Sequence, residues 1–456
     1  MIRRLAFVGV GHRATRFIDE FATRHRDRAA IAGFCDTSRV RLAAHNRWLQ
    51  EKHGLPPVPE ATPDGFESLL RATQADTVVV ATIDARHHEF IARALDAGCD
   101  VITEKPITID AERCRSVLAA AARHPERRIT VAFNYRWAPT NTRVKELLAA
   151  GTIGEVKGVA LEWSLDLQHG ADYFRRWHSE KACSGGLLVH KATHHFDLVN
   201  WWTDAIPASV YAAGGLAFYG RANAVARGQG DLAAYPRYTG EPAARHDPFR
   251  LDLEANPGFR ALYRAAEAET GYLRDRNVFR EGIDIEDHAT VVVRYRTGLL
   301  LTYTLNAFGP REGMRVVFHG DRGRLEYYQF GRSHAPRREN DEGHVSASHA
   351  HPAAESEAPP CSTEQTFIRV YPHFAAAYSV PALAGPGGHW GGDPIMISHL
   401  LNGAADPLGR IAGHEQGIAS ALVGITANLS LAQGRSVDLA GCLPLRPDAT
   451  RLSQLT

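Results

Sequence analysis

The chain has 456 residues, of which 44% are apolar, so it is long enough for two or three domains with large buried cores. Its 52 lysines and arginines nearly balance its 51 aspartates and glutamates, which argues against nucleic acid or an anionic membrane as a partner. The six cysteines show no CxxC spacing, which argues against a disulfide framework and a structural zinc site and favours a reducing, cytoplasmic location.

Two apolar stretches are better explained by a folded core than by targeting or membrane insertion. The N-terminal run "MIRRLAFVGVG" enters a glycine turn too soon for an export signal, so it predicts a strand. The later run "GIASALVGITANLSLAQG" is interrupted by Ser, Asn, Thr and Gln. It therefore predicts a buried helix rather than a membrane span.

Residues 1–135 alternate short β-branched runs with amphipathic helical patterns. Strands separated by helices of this length form right-handed βαβ units, so the pattern predicts a doubly wound α/β domain with a parallel sheet. In the helix that begins near residue 84, Asp84 is interpreted as the N-cap.

Residues 136–456 predict an α+β domain with a large open, mainly antiparallel sheet. Apolar runs from residue 288 onward follow one another through Gly-containing turns, as in an antiparallel meander. Two insertions interrupt this domain. Residues 216–285 are interpreted as a folded excursion or lid over the site, and residues 331–364 as a mobile loop.

The turn after the first strand carries a dinucleotide-binding pattern. Gly9, Gly11 and Ala14 form G-x-G-x-x-A at the start of a helix, whose free N–H groups suit a pyrophosphate; His12 and Arg13 lie within the same turn. Asp36 ends the second strand, where a carboxylate accepts hydrogen bonds from the adenosine ribose. The acid favours NAD, and Arg39 leaves NADP as an alternative.

Four motifs follow in order: "GVGHRA", "TIDARHHE", Glu104-Lys105-Pro106 and a GG…H…D segment within residues 185–197, with support from "AFNYRW". This order resembles the Gfo/Idh/MocA family, the glucose-fructose oxidoreductase and inositol dehydrogenase group. The resemblance implies a Rossmann domain followed by an open-sheet domain, a tightly held nicotinamide cofactor, and a homo-oligomer (dimer or tetramer). It also implies further cofactor contacts, at Thr82, His87, Glu104, Lys105 and Asn134.

Lys105 is the first candidate catalytic residue. Oxidation of a secondary alcohol requires a base for the hydroxyl proton and a cation or donor for the developing alkoxide. Lys105 follows the end of a predicted parallel strand, the edge where ligands bind in open α/β sheets, and Pro106 fixes the turn.

The segment "GGLLVHKATHHFD" supplies the other candidates. The family pattern has an aspartate where this chain has His190, followed by a histidine at His194 and an aspartate at Asp197. If the segment is one helix, His190 and His194 share a face, and Lys191 lies beside them. We predict His194 as general acid/base because an ordinary histidine pKa of about 6.5 suits proton transfer. Lys191 is predicted to stabilise an alkoxide or bind a hydroxyl, and His195 to pack.

Metal binding is not predicted. His190 and His194 have zinc-like spacing, but the segment lacks the glutamate of H-E-x-x-H and an evident third ligand. Predicted substrate contacts share aromatic, guanidinium or hydrogen-bonding side chains that suit a sugar. They are Arg136, Tyr173, Arg176, Trp177, Asp197 and His389.

The leading interpretation is an NAD(P)-dependent oxidoreductase that acts on a secondary alcohol of a sugar, sugar derivative or polyol. A second interpretation is an NAD-dependent glycoside hydrolase that works by transient oxidation at C3, elimination, water addition and re-reduction. The third is a non-catalytic NAD(P) sensor, against which the presence of Lys105 and His194 argues.

Overall fold

A computed structural model describes residues 2–331, 366–383, 385, 388–403 and 405–455. The loop predicted at 331–364 lies outside these residues apart from Gly331.

The first part of the chain forms alternating strands and helices, as predicted. The elements are β1 (Arg3–Val8), α1 (His12–Thr23), β2 (Ala29–Cys35), α2 (Arg39–His53), β3 (Glu60–Ala61), α3 (Phe66–Thr73), β4 (Thr77–Val80), α4 (His87–Asp96), β5 (Asp100–Thr103), α5 (Ala111–Arg123) and β6 (Ile129–Val131). The six strands pair in parallel in the order β6-β5-β4-β1-β2-β3. β4 is buried along its whole length, as expected of a strand covered on both faces.

The remaining elements build the second domain and part of the first. They are α6 (Pro139–Ala149), β7 (Val156–Asp166), α7 (Leu167–Arg175), α8 (Lys181–Ser184), α9 (Leu187–His190), α10 (Thr193–Thr203), β8 (Pro207–Gly215), α11 (Arg221–Ala226), α12 (Pro257–Phe259), α13 (Glu267–Thr270), β9 (His288–Tyr295), β10 (Leu300–Gly309), β11 (Gly313–Gly320), β12 (Gly323–Phe330), β13 (Phe367–Pro372), β14 (Tyr378–Val380), α14 (Gly392–Asn402), β15 (Ala412–Gly413), α15 (His414–Gln433), β16 (Val437–Asp438) and α16 (Leu439–Cys442).

The second sheet has nine strands in the order β14-β13-β12-β11-β7-β10-β9-β8-β16. Strand β9 alternates exposed and buried residues, which places one apolar face on the core. The predicted meander is wrong at one point, because β7 lies between β10 and β11 and pairs in parallel with β10. The sheet is therefore mixed and largely antiparallel.

The chain returns to the first sheet near its C-terminus. Strand β15 pairs antiparallel with β6, and α15, the helix predicted from the long apolar run, is buried against β8 and α10. None of the helices in the described part of the chain has the length and apolar character needed to cross a membrane.

The insertion at 216–285 is folded. Leu251, Leu253 and Phe259 form a small apolar cluster within it, packed against Tyr263. Tyr263 lies in a π-helical turn, Arg260–Arg264, that contacts α2 of the first domain. The insertion thus reaches across to the carboxyl edge of the parallel sheet.

Candidate active site

A cavity of about 1100 Å³ lies at the carboxyl edge of the parallel sheet, between the two domains and the insertion. Its volume slightly exceeds the ~300–1000 Å³ range of pockets that hold a single small ligand. Residues that follow β1, β2, β4, β5 and β6 all line it. This is the edge at which open α/β sheets bind ligands.

The glycine turn after β1 forms one wall. Gly9 has φ of +82°, and a Cβ there would lie 2.6 Å from the backbone nitrogen of Thr82, so only glycine fits. Helix α1 begins after Gly11 with no side-chain cap, and Gly11, His12 and Arg13 line the cavity. Ala14 is fully buried and lets helix and sheet pack closely. Such a turn presents backbone N–H groups to an anion.

Asp36 lies at the far end of this wall. Its carboxylate accepts hydrogen bonds from the backbone N–H groups of Val10 (2.8 Å) and Ser38 (2.9 Å) while facing the cavity. Thr82 also lines the cavity. The glycine cradle, the helix N-terminus and the acid together fit a nicotinamide dinucleotide.

His87 also borders the cavity, but both ring nitrogens lie within hydrogen-bonding distance of backbone carbonyl oxygens. Nδ1 is 2.8 Å from that of Pro106 and Nε2 is 3.2 Å from that of Thr82. His87 ties the two loops together, and its contact with the cofactor stays a prediction.

A charged network supports the same region. The carboxylate of Asp393, in the first turn of α14, accepts from the Arg13 guanidinium (3.0 Å) and the Asn134 amide (2.7 Å), and lies 2.7 Å from His389 Nδ1. Arg13 also pairs with Glu104 at 2.6 Å. Three predicted site residues, Arg13, Asn134 and His389, thus meet at the carboxylate of Asp393, and Glu104 joins them through Arg13.

Lys105 projects into the cavity two residues beyond β5. Its Nζ donates a hydrogen bond to the carbonyl oxygen of His190 (3.0 Å), which joins the Glu104-Lys105-Pro106 motif to the segment 185–197. Burial lowers the pKa of Lys105 to about 8, although Asp84 and Glu104 oppose the shift. An amine with such a pKa exchanges a proton readily near neutral pH.

The opening Gly185-Gly186 pair has a structural role. Both glycines have positive φ, and a Cβ on Gly186 would lie 2.8 Å from a carboxylate oxygen of Glu286. That carboxylate accepts from the backbone N–H of Leu188 at 2.6 Å and so caps α9. The segment is not a single helix as predicted, because α9 ends at His190 and α10 begins at Thr193.

Because the helix breaks after His190, residues 190, 191 and 194 all line the cavity without sharing one continuous face. His190 Nδ1 is hydrogen-bonded to Asp84. Asp84 is therefore not an N-cap, which corrects the sequence interpretation. Burial raises the pKa of Asp84 well above its usual value and lowers that of His190 well below, so it disfavours the charged form of each group.

Lys191 is nearly fully buried and faces the same space. Its Nζ donates to the Tyr135 hydroxyl (3.1 Å) and lies 4.7 Å from the centre of the Trp163 ring. Burial lowers the pKa of Lys191 to about 7, with Glu312 opposing the shift and Lys105 adding to it. Two amines of lowered pKa therefore line one cavity.

His194 stacks on Tyr135 with ring centroids 4.2 Å apart. Burial, reinforced by Lys105 and Lys191, holds the pKa of His194 well below its ordinary value. The prediction that this histidine keeps a pKa near 6.5 is wrong. His195 packs away from the cavity, stacked on Trp163 and hydrogen-bonded to Tyr303 (2.8 Å).

The opposite wall carries aromatic and guanidinium groups. Tyr173, Arg176 and Trp177 line the cavity, and Arg176 forms an ion pair with Asp172 at 2.9 Å. Trp177 stacks on His178, with ring centroids 3.6 Å apart. These groups offer a flat apolar surface beside hydrogen-bond donors.

Two predicted substrate contacts lie elsewhere. Arg136 and Asp197 are buried in the core, outside the cavity, in a two-point ion pair (2.7 and 2.8 Å). Arg136 also donates to the Gly409 carbonyl oxygen (3.0 Å) and to Gln416 (2.9 Å). Their predicted substrate-binding role is therefore corrected, since the pair joins the loop after β6 to α10 and α15.

Several site residues were not predicted from the sequence. Asp84 lies in "TIDARHHE" and Tyr135 in "AFNYRW", each shortly after the end of a parallel strand. Their position in the sequence could therefore have placed both residues near the site. Tyr263 comes from the insertion, where no motif indicated it. Within the described ranges, no group of three or more His, Cys, Asp or Glu side chains is arranged to hold a metal ion.

Comparison with known proteins agrees with this architecture. Residues 3–133 match the family model described as "Oxidoreductase family, NAD-binding Rossmann fold", and residues 145–439 match the model of its C-terminal alpha/beta domain. YteT of Bacillus subtilis (strain 168) is 35% identical over 96% of this chain and 98% of its own. Its name assigns it provisionally to the oxidoreductases and states no substrate. Inositol 2-dehydrogenase of Rhizobium meliloti (strain 1021) is 31% identical over 32% of this chain and 42% of its own.

Solved structures share the fold. Aldose-aldose oxidoreductase from Caulobacter crescentus, complexed with glycerol, superposes with a TM-score of 0.60 at 16% identity, over 96% of this chain and 100% of its own. Apo scyllo-inositol dehydrogenase from Lactobacillus casei gives 0.59 at 15% identity, over 96% and 98%. The two family-model matches and the identity with YteT show that the chain belongs to the Gfo/Idh/MocA family of NAD(P)-dependent oxidoreductases.

Proposed function

We propose that this protein is a dehydrogenase that transfers hydride between a nicotinamide dinucleotide, NAD by preference, and a secondary alcohol of a sugar, sugar derivative or polyol. The observation that carries the proposal is the pair of lysines with lowered pKa, Lys105 and Lys191, in one cavity with the dinucleotide cradle. Inositol and aldose enzymes among the similar proteins support the substrate class.

When bound, the nicotinamide would supply or accept the hydride. Lys105 takes the hydroxyl proton, because its amine lies at the carboxyl edge of the sheet and its pKa is near neutral. Lys191 stabilises the developing alkoxide. His194 stays neutral and hydrogen-bonds the substrate rather than carrying charge, because burial and, after it, the two neighbouring amines disfavour its protonation.

The remaining walls position the substrate and exclude water. Trp177 and Tyr173 offer faces for the C–H surface of a sugar ring, and Arg176 donates to its oxygens. The hydrogen bond between His190 and Asp84 holds the loop that fixes Lys105 through the His190 carbonyl oxygen. We also propose that the protein acts in the cytoplasm as a homo-oligomer on a small carbohydrate substrate.

A screen of polyols, free sugars and glycosides with purified protein, following both NADH absorbance and release of free sugar, tests the proposal. Accumulation of NADH with an alcohol substrate supports it. Dinucleotide binding without turnover of any compound would instead favour a sensor.

The pH dependence of alcohol oxidation is a first specific prediction. Lys105, the base, must be unprotonated, so kcat/KM should fall as pH drops below the Lys105 pKa of about 8, by about tenfold per pH unit on the acid side. The reverse reaction, ketone reduction, should show the opposite slope. A limb near the ordinary lysine pKa of 10.5, or no limb, would contradict the assignment.

A redox-assisted glycosidase is the second candidate. Elimination of an aglycone needs an additional base and acid, and the cavity holds further titratable groups close together: the rings of His178 and His190 are 4.2 Å apart, and those of Tyr173 and His190 are 5.6 Å apart. Sugar release from a glycoside without net NADH would favour this candidate. NADH accumulation without sugar release would exclude it for that compound.

A further inference from the structure

The insertion reaches the adenosine end of the cavity through Glu269, in α13. Its carboxylate accepts hydrogen bonds from the Ser38 hydroxyl (2.6 Å) and from the backbone N–H groups of Arg39 (2.8 Å) and Val40 (3.3 Å). An acidic side chain from more than 200 positions along the chain thus sits on the N-terminus of α2. The next residues, Thr270 and Gly271, line the cavity.

This carboxylate lies next to Asp36, the acid predicted to contact the ribose. Asp36 accepts from the backbone N–H of Ser38, the same residue whose hydroxyl donates to Glu269. An NADP 2′-phosphate is attached to the ribose that such an acid contacts in NAD, and it is bound by the donors that follow the second strand. In this chain, the donors at Ser38, Arg39 and Val40 are already used by Glu269.

One cation at the start of α2, Arg41, is also engaged by the insertion. The Arg41 guanidinium donates to the Leu262 carbonyl oxygen (3.0 Å), lies 5.4 Å from the centre of the Tyr263 ring and is 3.4 Å from Asp36. The Tyr263 hydroxyl accepts from the backbone N–H of His12, at the start of α1. The insertion therefore spans from the glycine turn to α2.

Glu269 carries negative charge at neutral pH. The hydrogen bond from the Ser38 hydroxyl lowers the pKa of Glu269 below its usual value. A 2′-phosphate brought to this position would meet two carboxylates and would have to displace one of them. Like charges in such proximity disfavour binding.

We propose that Glu269 is a specificity-determining residue that selects NAD over NADP by occupying the anion site at the N-terminus of α2. The proposal rests on the proposed nicotinamide-dependent function and assigns the selection to a residue of the insertion, additional to Asp36. It explains why this end of the insertion is tied to α2 by both a carboxylate and an arginine–tyrosine contact.

Binding of NADH and NADPH to the purified full-length protein, followed by nicotinamide fluorescence or calorimetry, tests the proposal without reference to turnover. The wild-type protein should bind NADH more tightly. Glu269→Ala vacates the donors, and Glu269→Gln keeps an acceptor but removes the charge. Each should lower the Kd for NADPH relative to that for NADH by about tenfold.

Glu254→Gln is the matched control, because Glu254 is another carboxylate of the insertion and pairs with Arg264 (2.9 Å) rather than with the N-terminus of α2. It should leave the NADH-to-NADPH ratio unchanged. An unchanged ratio in both Glu269 variants overturns the specificity proposal while leaving the proposed function intact. Failure of the wild-type protein to bind either dinucleotide overturns both.

Discussion

Replacement of Lys105 by methionine is expected to lower kcat about 10²–10⁴-fold, the range that a positioned general acid/base contributes. Methionine keeps the length and the apolar stem of lysine but cannot take a proton. Affinity for the dinucleotide should stay unchanged, because the glycine cradle and Asp36 lie outside the substituted position. Loss of kcat with retained cofactor binding is the signature of a group that acts on the reacting atoms.

The expected effect is large because burial lowers the pKa of the Lys105 amine, so that more of it is unprotonated near neutral pH. An exposed lysine is almost fully protonated at neutral pH, whereas the pKa of Lys105 is lowered to about 8. The hydrogen bond to the His190 carbonyl oxygen fixes the direction of the amine. Both the protonation state and the position would be lost in one substitution.

Lys145→Met is the matched control. Lys145 is another lysine whose pKa is lowered by burial to about 8, but its Nζ donates to the Trp201 carbonyl oxygen and does not line the cavity. The substitution should leave kcat of the folded protein unchanged. If Lys145→Met and Lys105→Met lowered kcat equally, or if Lys105→Met kept full activity, the catalytic assignment would be abandoned.

The parts of the site that follow local rules were predictable from the sequence. Gly9, Gly11 and Asp36 occupy fixed positions relative to the first two strands, and Lys105 follows the end of another parallel strand. Because those strands are parallel, their carboxyl ends meet at one edge, so the pattern alone brings these residues together. The family resemblance supplied the segment from Gly185 to Asp197 as well.

The interactions that set charge were not predictable in this way. His190 meets Asp84 across 106 positions of sequence, and Ser38 meets Glu269 across 231. The pKa of Lys191 is lowered by burial and by Lys105, and that of His194 by burial, Lys105 and Lys191. No local sequence pattern indicates these effects. The parallel placement of β7 beside β10 likewise depends on the whole sheet.

Arg136 and Asp197 illustrate the same limit, since a guanidinium and an aspartate beside the site motifs resemble substrate ligands until their burial is known. Both side chains are essentially inaccessible to solvent and pair at 2.7 Å. Asp197→Asn is expected to lower the free energy of unfolding by about 3–5 kcal/mol, because it leaves the Arg136 charge buried without its partner. Chemical denaturation followed by circular dichroism measures this change.

KM separates this structural role from substrate binding. Folded Asp197→Asn protein should keep the wild-type KM, since neither Arg136 nor Asp197 reaches the cavity. Arg176→Met removes a guanidinium that lines the cavity, so it should raise KM with little loss of stability. The double variant Arg136→Met/Asp197→Leu removes both charges together and should recover part of the lost stability, because the cost in the single variant comes from the uncompensated ion. If Asp197→Asn kept wild-type stability and raised KM, the structural role would be wrong and Arg136 and Asp197 would be assigned to substrate binding.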